Sequence, residues 1–184
     1  CEKRESLGHE VYGIDNFKDY YDIKLKELNA SDLANQGISV FRKDLNDELT
    51  DVFAVPYDYI FHFAAQPGIS SDTTLGEYVT NNINATQNLL ESVLKYNSNL
   101  KSFVNISTSS VYGIEATVDE TQLTKPVSFY GVTKLASEQL VLGLQRTGKL
   151  KACSIRLYSV YGPRERTEKL YTKLIENLYY DKPF

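Results

Sequence analysis

Residues 57–63, YDYIFHF, and residues 101–106, KSFVNI, are two apolar runs of strand length, and a longer segment at 75–96 separates them. The two runs are rich in aromatic and β-branched side chains, whereas the longer segment could form a helix of about six turns. A strand, a helix and a second strand in this order predict a right-handed crossover between parallel strands.

The same alternation continues on both sides of this unit. On its N-terminal side, residues 10–14 and 38–41 predict strands, with a helix between them at 22–35. On its C-terminal side, residues 128–147 predict a helix and residues 152–157 a strand. This order is typical of an α/β protein with a doubly wound, Rossmann-like parallel sheet. Ligands of such sheets bind beyond the carboxyl ends of the strands, so the polar residues there are the functional candidates.

Composition limits the kinds of partner. The 184 residues are 42% hydrophobic and 24% charged, and the formal net charge is -4. That charge gives no general attraction to nucleic acid or to an anionic membrane surface. Cys1 and Cys153 are too few and too far apart for a disulfide framework or a metal cage. We therefore expect a cytoplasmic protein with no metal and with neither nucleic acid nor membrane as a partner.

The segment 130–134, YGVTK, carries the sharpest chemical signal. It places a phenol and an ammonium four residues apart on one face of a predicted helix. A nearby cation favours the phenolate and lowers the pKa of a tyrosine from about 10, so Tyr130 could act as a base near neutral pH. The alternative is a packed ring beside a solvated Lys134, and the spacing alone leaves it open.

A run of hydroxyls precedes this segment. Residues 107–110 read STSS at the end of a predicted strand. A hydroxyl there could hydrogen-bond a substrate oxygen beside Tyr130. Capping of a turn would explain one serine more readily than four consecutive hydroxyls.

Seven ordered segments resemble the extended short-chain dehydrogenases/reductases, specifically the sugar-nucleotide epimerases and dehydratases: GHEVYGIDNF, the pair Asp44-Leu45, HFAAQPG, TNNINAT, STSSVYG, YGVTK and RLYSVYGPRER. The resemblance covers essentially the whole chain, and DNFKDYYDIKLK and VYGPRER look most like UDP-glucuronate 4-epimerases. It implies an NAD-binding Rossmann-like domain over residues 1–163 and the start of a substrate-binding lobe at 164–184. It also implies a UDP-sugar substrate and a homodimer formed through helices 75–96 and 128–147.

The resemblance assigns roles to individual residues. Tyr130 is the base, Lys134 binds the nicotinamide ribose and lowers the pKa of the tyrosine, and Thr108 positions the reacting hydroxyl. The other expected cofactor contacts are Asp15, Asn16, Asp44, Leu45, Phe63, Ala64, Ala65, Asn82 and Tyr158. The expected substrate contacts are Thr108, Ser110, Ser159 and Arg166, of which the last three would face the carboxylate of a uronic acid. Alternatively, Arg164 and Arg166 are solvated charges. An acid at position 15 favours NAD over NADP, because it accepts from two ribose hydroxyls and repels a 2′-phosphate. The alternative is that Asp15 is only part of an Asp-Asn turn.

The implied reaction is inversion of a UDP-sugar at C4. Tyr130 takes the proton of the C4 hydroxyl while hydride passes to NAD, and the hydride then returns to the other face of the 4-keto sugar. Arg166 is followed by Thr167-Glu168 where the subfamily has Pro-Asp, which leaves UDP-glucuronate and UDP-glucose or UDP-galactose open.

The N-terminal part of the chain leaves room for a different function. No glycine-rich pyrophosphate-binding turn precedes residue 10, so we expect the first strand to be missing, with a gap between strands 10–14 and 57–63. The sequence also contains no Met, and we expect it to be part of a longer protein. It could be a truncated, non-catalytic homologue that binds a sugar nucleotide or a protein, or it could be a dehydratase or reductase of the family. Dehydratases of the family carry Asp-Glu where this chain has Ser109-Ser110, and they need that acid and base to eliminate water from the sugar. The two serines therefore disfavour dehydration.

Overall fold

A computed structural model of the chain describes residues 1–68, 72–166 and 168–183. Its strands are β1 (Tyr12–Asp15), β2 (Ser39–Arg42), β3 (Tyr59–His62), β4 (Ser102–Thr108) and β5 (Ala152–Leu157). Its helices are α1 (Glu2–Glu5), α2 (Ile23–Asn35), α3 (Leu75–Tyr78), α4 (Ala85–Tyr96), α5 (Phe129–Arg146) and α6 (Leu170–Tyr179). A π-helical stretch, Val79–Asn84, joins α3 to α4, and short 3₁₀ turns occupy Val52–Ala54 and Ser109–Val111.

The strands form two parallel sheets, one of β1 and β2 and one in the order β3-β4-β5. Register pairs Asp15 with Arg42 in the first sheet and Thr108 with Leu157 in the second. The predicted alternation and the parallel pairing are confirmed. Within the described residues β1 does not pair with β3, so the expected gap lies between the two sheets.

Side-chain packing holds the two sheets together across this gap. The core lies mainly between the sheets and helices α4 and α5, and it contains Leu89, Val93, Phe103 and Val141. Ile14 of β1 and Phe41 of β2 pack against the same cluster. The Tyr12 ring of β1 also meets the Tyr57 ring edge-on, with centroids 5.8 Å apart. The molecule therefore has one core even though its sheet hydrogen bonds are interrupted.

The helices begin where side chains can accept hydrogen bonds from free backbone N–H groups. Asp22 accepts from Lys24 N at the start of α2, and Ser128 accepts from Gly131 N at the start of α5. Thr74 and Glu77 form a reciprocal capping box at the start of α3. These caps fix the positions at which the polar residues after β1, β3 and β4 emerge.

Helix α6 contains no buried residue. Just before it, Arg164 contacts the first part of the chain, through Glu2 at 2.9 Å and Asp32 at 3.2 Å. The division into domains at residue 163 stays a prediction. Among the described residues, no helix is both long and apolar enough to span a membrane.

Candidate active site

Three hydroxyl-bearing side chains meet where β4 ends and α5 begins. Tyr130 lies in the first turn of α5, and Thr108 is the last residue of β4. The Thr108 hydroxyl is near enough to the Tyr130 phenol to favour ionisation of the phenol, and Thr108 Oγ1 lies 3.3 Å from Ser110 Oγ. Gly131 permits this approach, because a Cβ there would lie 2.6 Å from the backbone oxygen of Ser110.

The environment of Tyr130 differs from the expected one. Burial raises the pKa of Tyr130 above its ordinary value, while the hydrogen bond with Thr108 and the charge of Arg166 oppose that rise. The Tyr78 ring packs against it, with centroids 6.1 Å apart. The expected lowering of the Tyr130 pKa is therefore wrong for the protein without ligands, because desolvation of the phenolate outweighs the nearby positive charge.

Lys134 lies one helical turn further along α5 and is only 3% exposed. Burial lowers the pKa of Lys134 to about 8, although the charge of Glu138 opposes this shift. Burial and the Lys134 charge together lower the pKa of His62 to about 3, so this histidine is neutral. Among the described residues, none accepts a hydrogen bond from Lys134 Nζ within ordinary distance, which leaves the ammonium available to a ligand hydroxyl.

A buried ion pair lies behind Lys134, and the sequence did not reveal it. Glu138 is 0% exposed, and its carboxylate accepts from Arg156 of β5, with Nη2 at 2.6 Å and Nε at 3.2 Å. Arg156 also donates to the Tyr112 phenol at 2.9 Å. Hydrogen bonds from Arg156 hold the pKa of Glu138 below its usual value even though burial raises it. The four-residue spacing between Lys134 and Glu138 was the available signal, because it places both on one helix face.

Three of the predicted cofactor contacts lie together at the carboxyl ends of β1 and β2. Asn16 donates to Asp44 at 2.7 Å, and Asp15 accepts from Phe17 N at 2.6 Å. Partial burial opposes ionisation of Asp44, but hydrogen bonds from Asn16 and Asn46 hold its pKa below the usual value. A cavity of about 950 Å³ is lined by Asn16 and Asp44, within the upper range of ligand pockets.

The predicted contacts after β3 and β5 lie at the same edge of the sheet. Phe63 and Ala64 follow β3 and are exposed, and Ala65 is half-buried. Tyr158 follows β5 and donates to the backbone oxygens of Ala116 and Val118, at 2.5 and 3.0 Å. An apolar ligand surface could rest on the exposed residues after β3.

Leu45 and Asn82 face inward. The Leu45 side chain belongs to the core, so only its backbone could face a ligand. Asn82 is buried in the π-helical stretch, where it accepts from Gln66 N at 2.7 Å and donates to Thr133 at 3.0 Å. It therefore ties the loop after β3 to α5, and its part in cofactor binding stays a prediction.

The predicted carboxylate contacts are only partly assembled. The Arg166 guanidinium lies over the Tyr20 ring, 5.1 Å from its centroid, and its charge acts on Tyr130. Ser110 is half-buried beside Thr108, while Ser159 is exposed. Thr167, which marks the departure from the subfamily pattern, lies outside the described residues. In the part of the chain that the structure describes, no cluster of acidic, histidine or cysteine side chains could hold a metal.

Comparison with known proteins agrees with this arrangement. The chain matches the family described as NAD dependent epimerase/dehydratase over residues 1–184. The chain belongs to this family. Among members, it is 35% identical to UDP-glucuronate 4-epimerase 1 of Arabidopsis thaliana, over 96% of this chain and 42% of that protein. It is also 35% identical to an uncharacterized UDP-glucose epimerase of Bacillus subtilis, over 95% of this chain and 56% of the relative.

Solved structures of family members have the same fold. UDP-glucuronic acid 4-epimerase from Bacillus cereus in complex with NAD superposes with a TM-score of 0.87 at 36% identity, covering 100% of this chain and 60% of that one. The same enzyme in complex with UDP-glucuronic acid and NAD gives a TM-score of 0.83 at 35% identity, over 97% of this chain and 58% of the other. The chain thus spans about half the length of the relatives it matches.

Proposed function

We propose that this protein is an NAD-dependent epimerase that inverts C4 of a UDP-sugar. The observation that carries the proposal is the arrangement at the start of α5: the Thr108 hydroxyl acts on the Tyr130 phenol, and Lys134 is buried one turn further along the same helix. A non-catalytic binding module has no physical need for a buried ammonium on this face, because burial of an unpaired charge costs stability.

The described residues fit NAD. Lys134 has a free donor for a ribose hydroxyl, and the cavity lined by Asn16 and Asp44 offers space for the adenosine end of the cofactor. Bound NAD would supply reversible hydride transfer at C4 of the sugar. The protein's own part is to remove and return one proton at the C4 oxygen, which Tyr130 would do, and to orient that oxygen through Thr108.

UDP-glucuronate is the sugar nucleotide that we favour. One relative from Arabidopsis and one from Bacillus are named for it, and the charge of Arg166 acts on Tyr130. A guanidinium fork with hydroxyl donors suits a carboxylate. Ser110 and Ser159 are the hydroxyls that we assign to it, and UDP-glucose or UDP-galactose is the alternative substrate.

We also propose a cytoplasmic homodimer. Leu94 of α4 and Val132 and Leu140 of α5 are exposed apolar residues, and two copies could bury them in a four-helix interface. Cys1 and Cys153 are free thiols, in keeping with a reducing compartment. Sedimentation velocity on Leu140→Arg tests the dimer, since a charge at the interface should produce a monomer.

The experiment that tests the activity is conversion of UDP-glucuronate, followed by NMR of the C4 proton. We expect turnover by the purified protein with NAD and a loss of at least about a hundredfold in kcat for Tyr130→Phe, which lacks the acid–base group. The control is Tyr96→Phe, a partly exposed tyrosine at the far end of α4. A protein that binds NAD and the sugar nucleotide without turnover would point to the non-catalytic alternative.

A further inference from the structure

Two cations stand close to the carboxylate that should receive the adenosine ribose. Lys26 Nζ lies 3.4 Å from Asp15 Oδ1. Arg42 is paired in register with Asp15 on the neighbouring parallel strand. Neighbouring strands lie about 4.8 Å apart, and residues in register project from the same face of a sheet. A group bound at Asp15 is therefore within reach of a guanidinium.

A cation in this place conflicts with selectivity for NAD. NADP carries a 2′-phosphate at the ribose, and a nearby arginine is the side chain that accommodates it. Asp15 repels that phosphate, but a free Arg42 would attract it. Lys26 is paired with Asp15 itself, so selectivity for NAD also depends on what already occupies the Arg42 guanidinium.

Arg42 is occupied on two sides. Glu27 of α2 accepts from both terminal nitrogens, at 2.7 Å to Nη1 and 2.5 Å to Nη2. The guanidinium lies over the Phe17 ring, with its carbon 4.0 Å from the ring centroid. Phe17 has a φ of 52°, a conformation that few non-glycine residues adopt. Arg42 and Phe17 both line the cavity that Asn16 and Asp44 also line.

We infer that Glu27 sets the cofactor preference of this protein by holding Arg42 away from the ribose 2′ position. Glu27 is a positioning residue: it engages both terminal nitrogens of the Arg42 guanidinium and offsets its charge. This inference rests on the proposed function, because it places the adenosine ribose at Asp15. Helix α2, through Glu27, thus contributes to cofactor selectivity in a way that Asp15 alone does not.

The test is calorimetric titration of the protein with NAD and with NADP at one salt concentration. Glu27→Gln retains the shape, removes the charge and leaves one acceptor oxygen in place of two, which loosens the contact with Arg42. We expect its affinity for NADP to rise about tenfold relative to its affinity for NAD, the gain of one charge-assisted contact. The affinity for NAD itself should change less than about twofold.

Two further variants separate the explanation from a general charge effect. Asp32→Asn also removes one carboxylate of α2 that pairs with an arginine, Arg164. It should leave the ratio of NADP affinity to NAD affinity unchanged. Glu27→Gln combined with Arg42→Gln should lose the gain, because the attracting group is gone. Circular dichroism melting shows whether each variant folds.

The outcomes distinguish the two proposals. If the unaltered protein binds no NAD, the proposed function fails and this inference fails with it. If it binds NAD but the ratio for Glu27→Gln equals that for Asp32→Asn, the proposed function stands and the role of Glu27 is wrong. The role is also wrong if the gain persists after Arg42 is replaced.

Discussion

Burial shifts the pKa values of Tyr130 and Lys134 in opposite directions, and both shifts favour the neutral side chain. The phenol keeps its proton to higher pH, and the ammonium loses its proton at lower pH. A pair in this state is poorly prepared to abstract a proton. Ligand hydroxyls around Lys134 would restore favourable surroundings for its charge, and that charge would stabilise a phenolate. We therefore expect base catalysis to depend on an occupied site.

The pKa of Lys134 leads to a stability prediction. Its folded-state pKa is about 8, against an ordinary value of 10.5. Between these values the unfolded chain binds more protons, so the Lys134 contribution makes stability rise with pH in this window. Lys134→Met should stabilise the ligand-free protein below pH 8, by on the order of 3 kcal/mol, and should remove that rise.

Urea unfolding at pH 7, 8 and 9.5 measures this difference. Lys149→Met is the matched control, because Lys149 is exposed, and it should change stability little at any of these pH values. If Lys134→Met and Lys149→Met follow the same pH dependence, the ammonium of Lys134 is not buried as described.

Arg166 provides the test of sugar specificity. Arg166→Gln should lower kcat/KM for UDP-glucuronate about tenfold more than for UDP-glucose, because only the uronic acid carries a carboxylate to pair. Arg166→Lys should recover only part of the loss, since it restores charge without the fork. Arg164→Gln is the control: Arg164 pairs with Glu2 and Asp32 instead. Equal losses for both sugars would assign Arg166 to another task.

At the scale of helices and strands, local pattern predicted most of the fold. The strand at 152–157 and the helices at 22–35 and 128–147 follow from local pattern alone, and the structure confirms them. The π-helical stretch did not follow, because the side-chain partners of Asn82 lie in a loop and on another helix. Glu138 was missed for the same reason: its partner, Arg156, comes from β5. Sequence patterns identify such groups, but only the tertiary fold pairs them.

The ion pair between α5 and β5 should be important for stability. Glu138→Gln leaves Arg156 partly buried without its carboxylate, and we expect the free energy of unfolding to fall by about 3 kcal/mol. The double variant with Arg156→Met should lose less than the sum of the two single changes. Glu27→Gln is the control: it breaks an exposed ion pair of similar geometry and should change the free energy of unfolding little.

The pH dependence of this loss has a definite sign. The folded-state pKa of Glu138 lies below the ordinary 4.5. The stability that the ionised carboxylate contributes is fully present above the ordinary pKa of 4.5 and disappears as pH falls through the lower folded-state pKa. Denaturant unfolding at pH 7 and pH 3 should therefore show a smaller difference between Glu138→Gln and the unaltered protein at pH 3. A constant difference would mean that the charge of Glu138 is not what stabilises the pair.

At the scale of the whole molecule, the proposed cofactor site is divided between the two sheets. Asp15, Asn16 and Asp44 belong to the β1–β2 side, whereas Thr108 and Lys134 belong to the β3-β4-β5 side. Among the described residues the two sheets share side-chain packing but no strand pairing. A ligand that contacts both groups would therefore link the two parts of the molecule.

This division predicts a pattern of amide hydrogen exchange, measured by mass spectrometry with and without NAD. Without NAD, β1 and β2 should exchange faster than β4, because a two-stranded sheet is marginally stable and β4 has a partner strand on each side. NAD should slow exchange most in β1 and β2, where binding adds a connection that the strands lack. Residues 93–100, at the opposite ends of the strands, serve as an internal control. If NAD protects only β4 and α5, the adenosine is not held at Asp15, and the cofactor does not bridge the sheets.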